Sequence, residues 1–165
     1  MSGWTAGTIA EYAYQGKVDR LGEPIALHAS RVAVAVAEAA DDWNRACMFD
    51  VALLHDAIED GPDDVAYLIR QHCGRVVYRL VLTLTRTEGI GSYADYISVI
   101  ANVPVARRIK LADLADNLDP ARADGLTPSL RKRYEQAQAR LEGEAVGGAS
   151  SSGVVGGSGT DREQT

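Results

Sequence analysis

Residues 51–60 read Val-Ala-Leu-Leu-His-Asp-Ala-Ile-Glu-Asp, and this stretch decides the fold class. Val51, Leu53, Leu54 and Ile58 recur at the three- and four-residue spacing of a core-facing helix. His55 and Asp56 are wedged among them, with Glu59 and Asp60 one turn on. In a helix, His55 shares a face with Glu59, and Asp56 with Asp60. Four titratable groups on half of one apolar helix need a cation or an aqueous cleft, because burying unpaired charge is very costly.

Outward from this stretch, nearly every segment repeats apolar residues with helical rather than alternating period. A first helix is expected over Thr5 to Gln15. After the loop Gly-Lys-Val-Asp-Arg-Leu-Gly-Glu (16–23), Pro24 suits the first turn of a second helix to about Ala40. Asp41 or Asp42 can cap a third, from Trp43 to about Asp60, and Gly61-Pro62 stops it. A fourth begins at Asp63 or Asp64 and ends at Gly74. Residues 75–86 contain β-branched residues and could form a strand, but their neighbours favour a buried helix. Ser92-Tyr-Ala-Asp95 resembles a capping box opening a sixth helix to Asn102. Pro104 begins a seventh through Leu118, and Thr127-Pro128 an eighth to about Glu142. The expectation is an all-α bundle of about seven or eight short helices.

The chain has 165 residues, enough for about one domain. From residue 143 it turns Gly/Ser-rich and cannot offset its ordering entropy by burial. The reading is a folded domain over 1–142 and a disordered tail over 143–165. The net charge of −6 argues against a duplex nucleic-acid binder. No apolar run reaches the roughly 18 residues needed to span a bilayer, and no signal-peptide pattern is seen, so a cytoplasmic protein without membrane partners is expected. Cys47 and Cys73 read as buried free thiols, and His72 as structural or exposed.

Two further places hold polar residues in apolar helical sequence. One is Arg108-Ile-Lys-Leu-Ala-Asp-Leu-Ala-Asp-Asn117, where Asp113 and Asn117 lie one turn apart and Lys110 precedes Asp113 on about the same side. The other is His28, among small apolar neighbours. Taken singly, each is compatible with a satisfied or solvated side chain. Together, one His, a His-Asp pair and a distant Asp on separate amphipathic helices form a metal-ligand set. Two imidazoles and two carboxylates suit Mn²⁺, Fe²⁺ or Co²⁺, and Mn²⁺ is the ion expected. Without thiolates nothing selects Zn²⁺.

These motifs resemble the HD-domain phosphohydrolases, in particular the hydrolase domain of Rel/SpoT alarmone enzymes and their small stand-alone relatives. The resemblance covers about Ala10 to Arg122. The pattern H…HD…D is matched by His28, His55-Asp56 and Asp113. LLHDxxED is matched by residues 53–60, and KLADxxxN by Lys110 to Asp113 with Asn117. The resemblance implies that His28, His55, Asp56 and Asp113 ligate a metal. It implies that Glu59 and Asp60 orient or activate the attacking water and pass on its proton. It places Asn117 near ribose or base and Lys110 near phosphate. The implied reaction removes the 3′-pyrophosphate from guanosine tetra- or pentaphosphate, so the expected partner is a small nucleotide substrate.

The chain departs from the pattern before the first ligand His, with Tyr14, Lys17 and Ile25 where His, Gln and Tyr are usual. Asp19 falls where alarmone hydrolases carry a base-stacking Arg, and Arg20 beside it is the candidate substitute. Two alternatives therefore stay open: a general HD nucleotidase or phosphodiesterase on another nucleotide, or a non-catalytic nucleotide-binding module. The charged eighth helix reads as a solvated packing helix or a self-association surface, and the oligomeric state is not settled by sequence.

Overall fold

A computed structural model describes residues 3–41, 44–122 and 125–147. Its helices are α1 Ala6–Tyr14, α2 Ile25–Glu38, α3 Arg45–Leu53, α4 Ala57–Asp60, α5 Val65–His72, α6 Gly74–Leu84, α7 Tyr93–Ala101, α8 Pro104–Leu118 and α9 Pro128–Gly147. No strand occurs among the described residues. The nearest approach is an isolated bridge between Val18 and Pro24 that closes the loop before α2.

Local signals set several helix ends. Thr5 caps α1, and Ser92 caps α7 in a reciprocal box with Asp95. Pro104 opens α8. Residues 75–84 are helical and Thr85 and Arg86 lie past the end of α6: Val77, Val81 and Leu84 recur on one side of the helix and are buried, so helical spacing prevails over β-branching. Of the two aspartates expected to cap the third helix, Asp41 accepts from the Asn44 backbone N–H at 3.1 Å. Asp42 and Trp43 lie outside the described residues.

Two expected helix limits need correction. The third helix is not continuous: it ends at Leu53, and residues 54–56 form a turn before α4. The last helix runs to Gly147, past the expected end at Glu142. Gly143 costs a helix only about 1 kcal/mol, too little to stop it. The rest of the Gly/Ser segment, from residue 148, lies outside the described residues.

The helix α2 packs on both α3 and α8, and α1 lies across α3, α4 and α5. Further contacts join α8 to α6, α7 and α9. Ile9, Val32, Val51, Leu54, Ile109 and Leu114 are fully buried where these layers meet. At Gly61 any Cβ would lie 2.4 Å from the Ala57 carbonyl oxygen and 2.7 Å from Val65, so the glycine permits the tight exit from α4. Cys47 and Cys73 are half-buried free thiols rather than fully buried ones, and His72 is exposed. No helix among the described residues is long and apolar enough to cross a membrane.

Candidate metal centre and nucleotide cavity

Three elements deliver the four predicted ligands: α2 carries His28, the α3–α4 turn carries His55 and Asp56, and α8 carries Asp113. His28, His55 and Asp113 are the buried polar side chains at the heart of the bundle, joined only by Thr85 among buried polar residues described. The break after α3 has a visible cause. The His55 ring Nδ1 lies 2.7 Å from the Ala52 carbonyl oxygen, which the His55 backbone N–H reaches only at 3.4 Å. Ala57 N–H then bonds back to Leu54 O at 3.0 Å, three residues away, and Leu54 and Asp56 take φ near −100° with ψ near 0°. The imidazole thus occupies an acceptor that a continuous helix would use for its own ladder.

The ring nitrogens sort themselves by these contacts. With Nδ1–H of His55 donated to Ala52, Nε2 carries the lone pair. It lies 3.2 Å from Asp56 Oδ2 and 3.6 Å from Asp113 Oδ1, with no hydrogen-bond partner although buried. His28 places Nδ1 at 2.7 Å from Asp116 Oδ2 and Nε2 at 3.1 Å from Asp113 Oδ1. The two rings meet edge-on, 5.3 Å between centroids. Two Nε2 atoms therefore converge on one carboxylate oxygen beside a second carboxylate. Ligand atoms of His28, His55 and Asp56 all lie within 4.8 Å of one another.

The electrostatics of the cluster favour positive charge there. Burial alone would lower both imidazole pKa values, but Asp113 and Asp116 raise His28 to about 8, and Asp56 and Asp113 raise His55 well above its ordinary value. Burial opposes ionisation of Asp113 too, yet Lys110 and the two histidines hold its carboxyl well below the usual range. An unpartnered buried Nε2 facing two carboxylates is the environment a divalent cation satisfies, so the residues fit the expected ion.

A cavity of about 570 Å³ opens over this floor. Its lining includes His28, Asp56 and Asp113 from the centre, Glu59 and Asp60 from α4, and Lys110 and Asn117 from α8, with Arg20 in the preceding loop. His55 sits beneath, buried out of the lining. Glu59 accepts the Arg86 backbone N–H, which anchors it across to the chain leaving α6. Burial and the neighbouring Asp56 push the carboxyls of Glu59 and Asp60 upward. Lys110 and Asn117 turn toward the centre: Lys110 Nζ is 2.5 Å from Asp113 Oδ2, and Asn117 Nδ2 is 2.7 Å from Asp113 Oδ1. Both lie on the cavity wall and at the same time brace the carboxylate.

Sequence reasoning missed several residues. Arg86, Tyr93, Arg133 and Tyr134 line the far wall. The Arg86 and Arg133 guanidinium groups lie 5.7 and 5.6 Å from the Tyr93 ring centroid, and the Tyr93 hydroxyl is buried without a hydrogen-bond partner. Asp116, Arg31 and Arg122 surround His28 from behind. Asp19 does not face the cavity as a bare anion. Its Oδ1 accepts from the Leu21 and Glu23 backbone N–H groups, each at 2.9 Å, and Oδ2 accepts from Arg122 Nη2 at 2.7 Å. Arg20 next to it is exposed at the cavity mouth.

No protein-family model and no curated protein matches the chain. Among solved structures it is similar to a metazoan ortholog of SpoT that hydrolyses ppGpp and plays a role in starvation responses. The two share a TM-score of 0.68 and 23% sequence identity, over 84% of this chain and 82% of that one. The all-helical HD-type fold expected from the motifs is thereby shown.

Proposed function

We propose that this chain is a metal-dependent phosphohydrolase that removes pyrophosphate from a (p)ppGpp-type purine nucleotide. The observation that carries the reading is the convergence of His28 Nε2 and His55 Nε2 on Asp113 Oδ1, beside Asp56, at the floor of an open cavity. His28, His55, Asp56 and Asp113 would hold the ion, with Mn²⁺ first in expectation. When bound, such an ion supplies Lewis acidity toward a phosphoryl oxygen and toward water.

The remaining chemistry belongs to the chain's own groups. Glu59 and Asp60 stand at the cavity wall with carboxyl pKa values raised toward the working range of a proton acceptor. Glu59 is the better-held of the two, through the Arg86 backbone, and is assigned the proton from the attacking water. Asp60 orients. Asp56 and Asp113 stay ionised. Phosphoryl transfer rests mainly on positioning and charge neutralisation, so a protein of net charge −6 needs local cations. Lys110, Arg86, Arg133 and Arg20 provide them around the cavity. The fold likeness to the ppGpp-hydrolysing metazoan ortholog supports the substrate class.

One observation favours a second reading. Asp19, in the place of a base-stacking Arg, is engaged in closing its own loop, so within that loop only Arg20 is left to stack on a base. A general nucleotide phosphohydrolase follows if Arg20 does not take that part. The deciding experiment incubates Mn²⁺-loaded protein with the guanosine alarmone and with a panel of nucleotides, following pyrophosphate and phosphate by chromatography, beside Arg20→Ala. Pyrophosphate release that depends on Arg20 is expected. Turnover of 5′-monophosphates without alarmone hydrolysis selects the second reading, and tight binding without any turnover selects a nucleotide-binding module.

A further inference from the structure

Beside His28 one carboxylate, itself outside the cavity lining, gathers three cationic or potentially cationic side chains. Asp116 Oδ2 takes His28 Nδ1 at 2.7 Å and Arg31 Nη2 at 3.2 Å, while Oδ1 takes Arg31 Nε at 2.7 Å. Arg122 Nε approaches Oδ2 to 3.2 Å. The same two arginines continue outward. Arg31 Nη2 donates to Glu23 Oε2 at 2.9 Å, and Arg122 donates to both Glu23 and Asp19. Asp19 and Glu23 belong to the loop 16–24, whose Val18, Asp19, Arg20 and Leu21 rim the cavity mouth. A continuous chain of charge-assisted hydrogen bonds thus runs from a ring nitrogen of a central histidine to the substrate entrance.

We propose that Asp116 is a positioning residue that fixes His28 with Nε2 facing the metal site, and that Arg31 and Arg122 make this placement depend on the mouth loop. The inference rests on the metal reading given above. A hydrogen bond at Nδ1 selects the tautomer whose lone pair is on Nε2 and sets the ring plane. About χ2 an imidazole has two broad, roughly opposite orientations that exchange Nδ1 and Nε2, and only a partner behind it removes the wrong one. Asp116 is itself held at both oxygens, so it cannot swing away with the ring. Asx-type closure of the loop by Asp19 sets where Arg122 lands, which in turn steadies Asp116.

The test measures Mn²⁺ affinity by calorimetry and the visible absorption of the Co²⁺-substituted protein, both without nucleotide. Asp116→Asn, which keeps size but replaces an acceptor with an amide, is expected to weaken Mn²⁺ binding by about 10–100-fold and to shift the Co²⁺ bands. Arg31→Gln touches no proposed ligand and removes two of the bonds that hold Asp116. It is expected to move both readouts in the same direction by less, and it carries the test should Asp116→Asn fail to fold. Unchanged affinity and an unchanged Co²⁺ spectrum in the folded variants would overturn the positioning role while leaving the metal centre intact. A wild-type protein that takes up neither ion overturns the metal reading itself, and this inference with it.

Discussion

The floor and the far wall of the cavity are built on opposite principles. On the floor the side chains brace one another: Asp113 is held by Lys110 and Asn117, and His28 by Asp116. His55 Nε2, buried without a hydrogen-bond partner, faces Asp56 and Asp113, where the proposed ion would sit. On the wall, Arg20, Arg86 and Arg133 are exposed, and the two that are ordered by a ring lean on Tyr93. Under the proposed function, the buried, braced floor would fix which chemistry is done, and the solvated wall of long side chains would decide on what.

Breaking the floor should give the largest effect. His55→Ala is expected to abolish Mn²⁺ binding and turnover, and to lower thermal stability in the presence of metal, since affinity for the folded state alone is folding free energy. Metal analysis and a melting curve check both, and stoichiometric Mn²⁺ in the variant would count against the site. Glu59→Gln stands at the border between the regions. Metal should remain, while kcat falls by about 10²–10⁴-fold, the range for losing general acid–base assistance. If kcat holds, the proton goes to Asp60 instead. On the wall, Arg133→Ala should raise KM for a polyphosphorylated nucleotide by roughly tenfold, as expected for one charged hydrogen bond of about 1.5–3 kcal/mol with solvent screening. A fall in kcat with KM constant would move Arg133 from binding to chemistry.

The smallest effect is far from both regions, at the start of α7. The Ser92 hydroxyl and backbone N–H hold the Asp95 carboxyl below its ordinary value. Because the folded-state pKa is depressed, its stabilisation is present above the ordinary carboxyl pKa and is lost as pH falls through the depressed one. Ser92→Ala should therefore lower the melting temperature by a few degrees near neutral pH, corresponding to a cap of about 1 kcal/mol. The gap to wild type should narrow in acid. An equal gap at every pH would show that the charge of Asp95 adds nothing to the cap.

Much of this molecule was legible in its sequence wherever the signal is local. Pro104 and Leu118 mark both ends of α8, and Ser92 with Asp95 announces α7. His28, His55, Asp56 and Asp113 declare themselves as polar residues among apolar ones, and the fold brings them together. What could not be read are pairings that exist only once the chain has folded. Asp116 and His28 are 88 residues apart, and Arg122 and Glu23 are 99 apart. Arg31 did carry a signal, as the one cation in the apolar run after His28, but nothing nearby in sequence names its partner. The turn at residues 54–56 escaped because periodicity counts side-chain positions. It does not register a ring nitrogen taking a backbone carbonyl.

That turn has a consequence for anyone wishing to graft this centre elsewhere. Neighbouring side chains on an unbroken helix diverge by about 100°, so a His and the Asp after it would look in different directions. Here the backbone bends between them, and His55 Nε2 and Asp56 Oδ2 come within 3.2 Å. The transplantable unit is therefore the bent hexapeptide from Ala52 to Ala57, with its carbonyl acceptor included. A His-Asp pair written into a straight helix of any designed scaffold would carry over only half of the pincer.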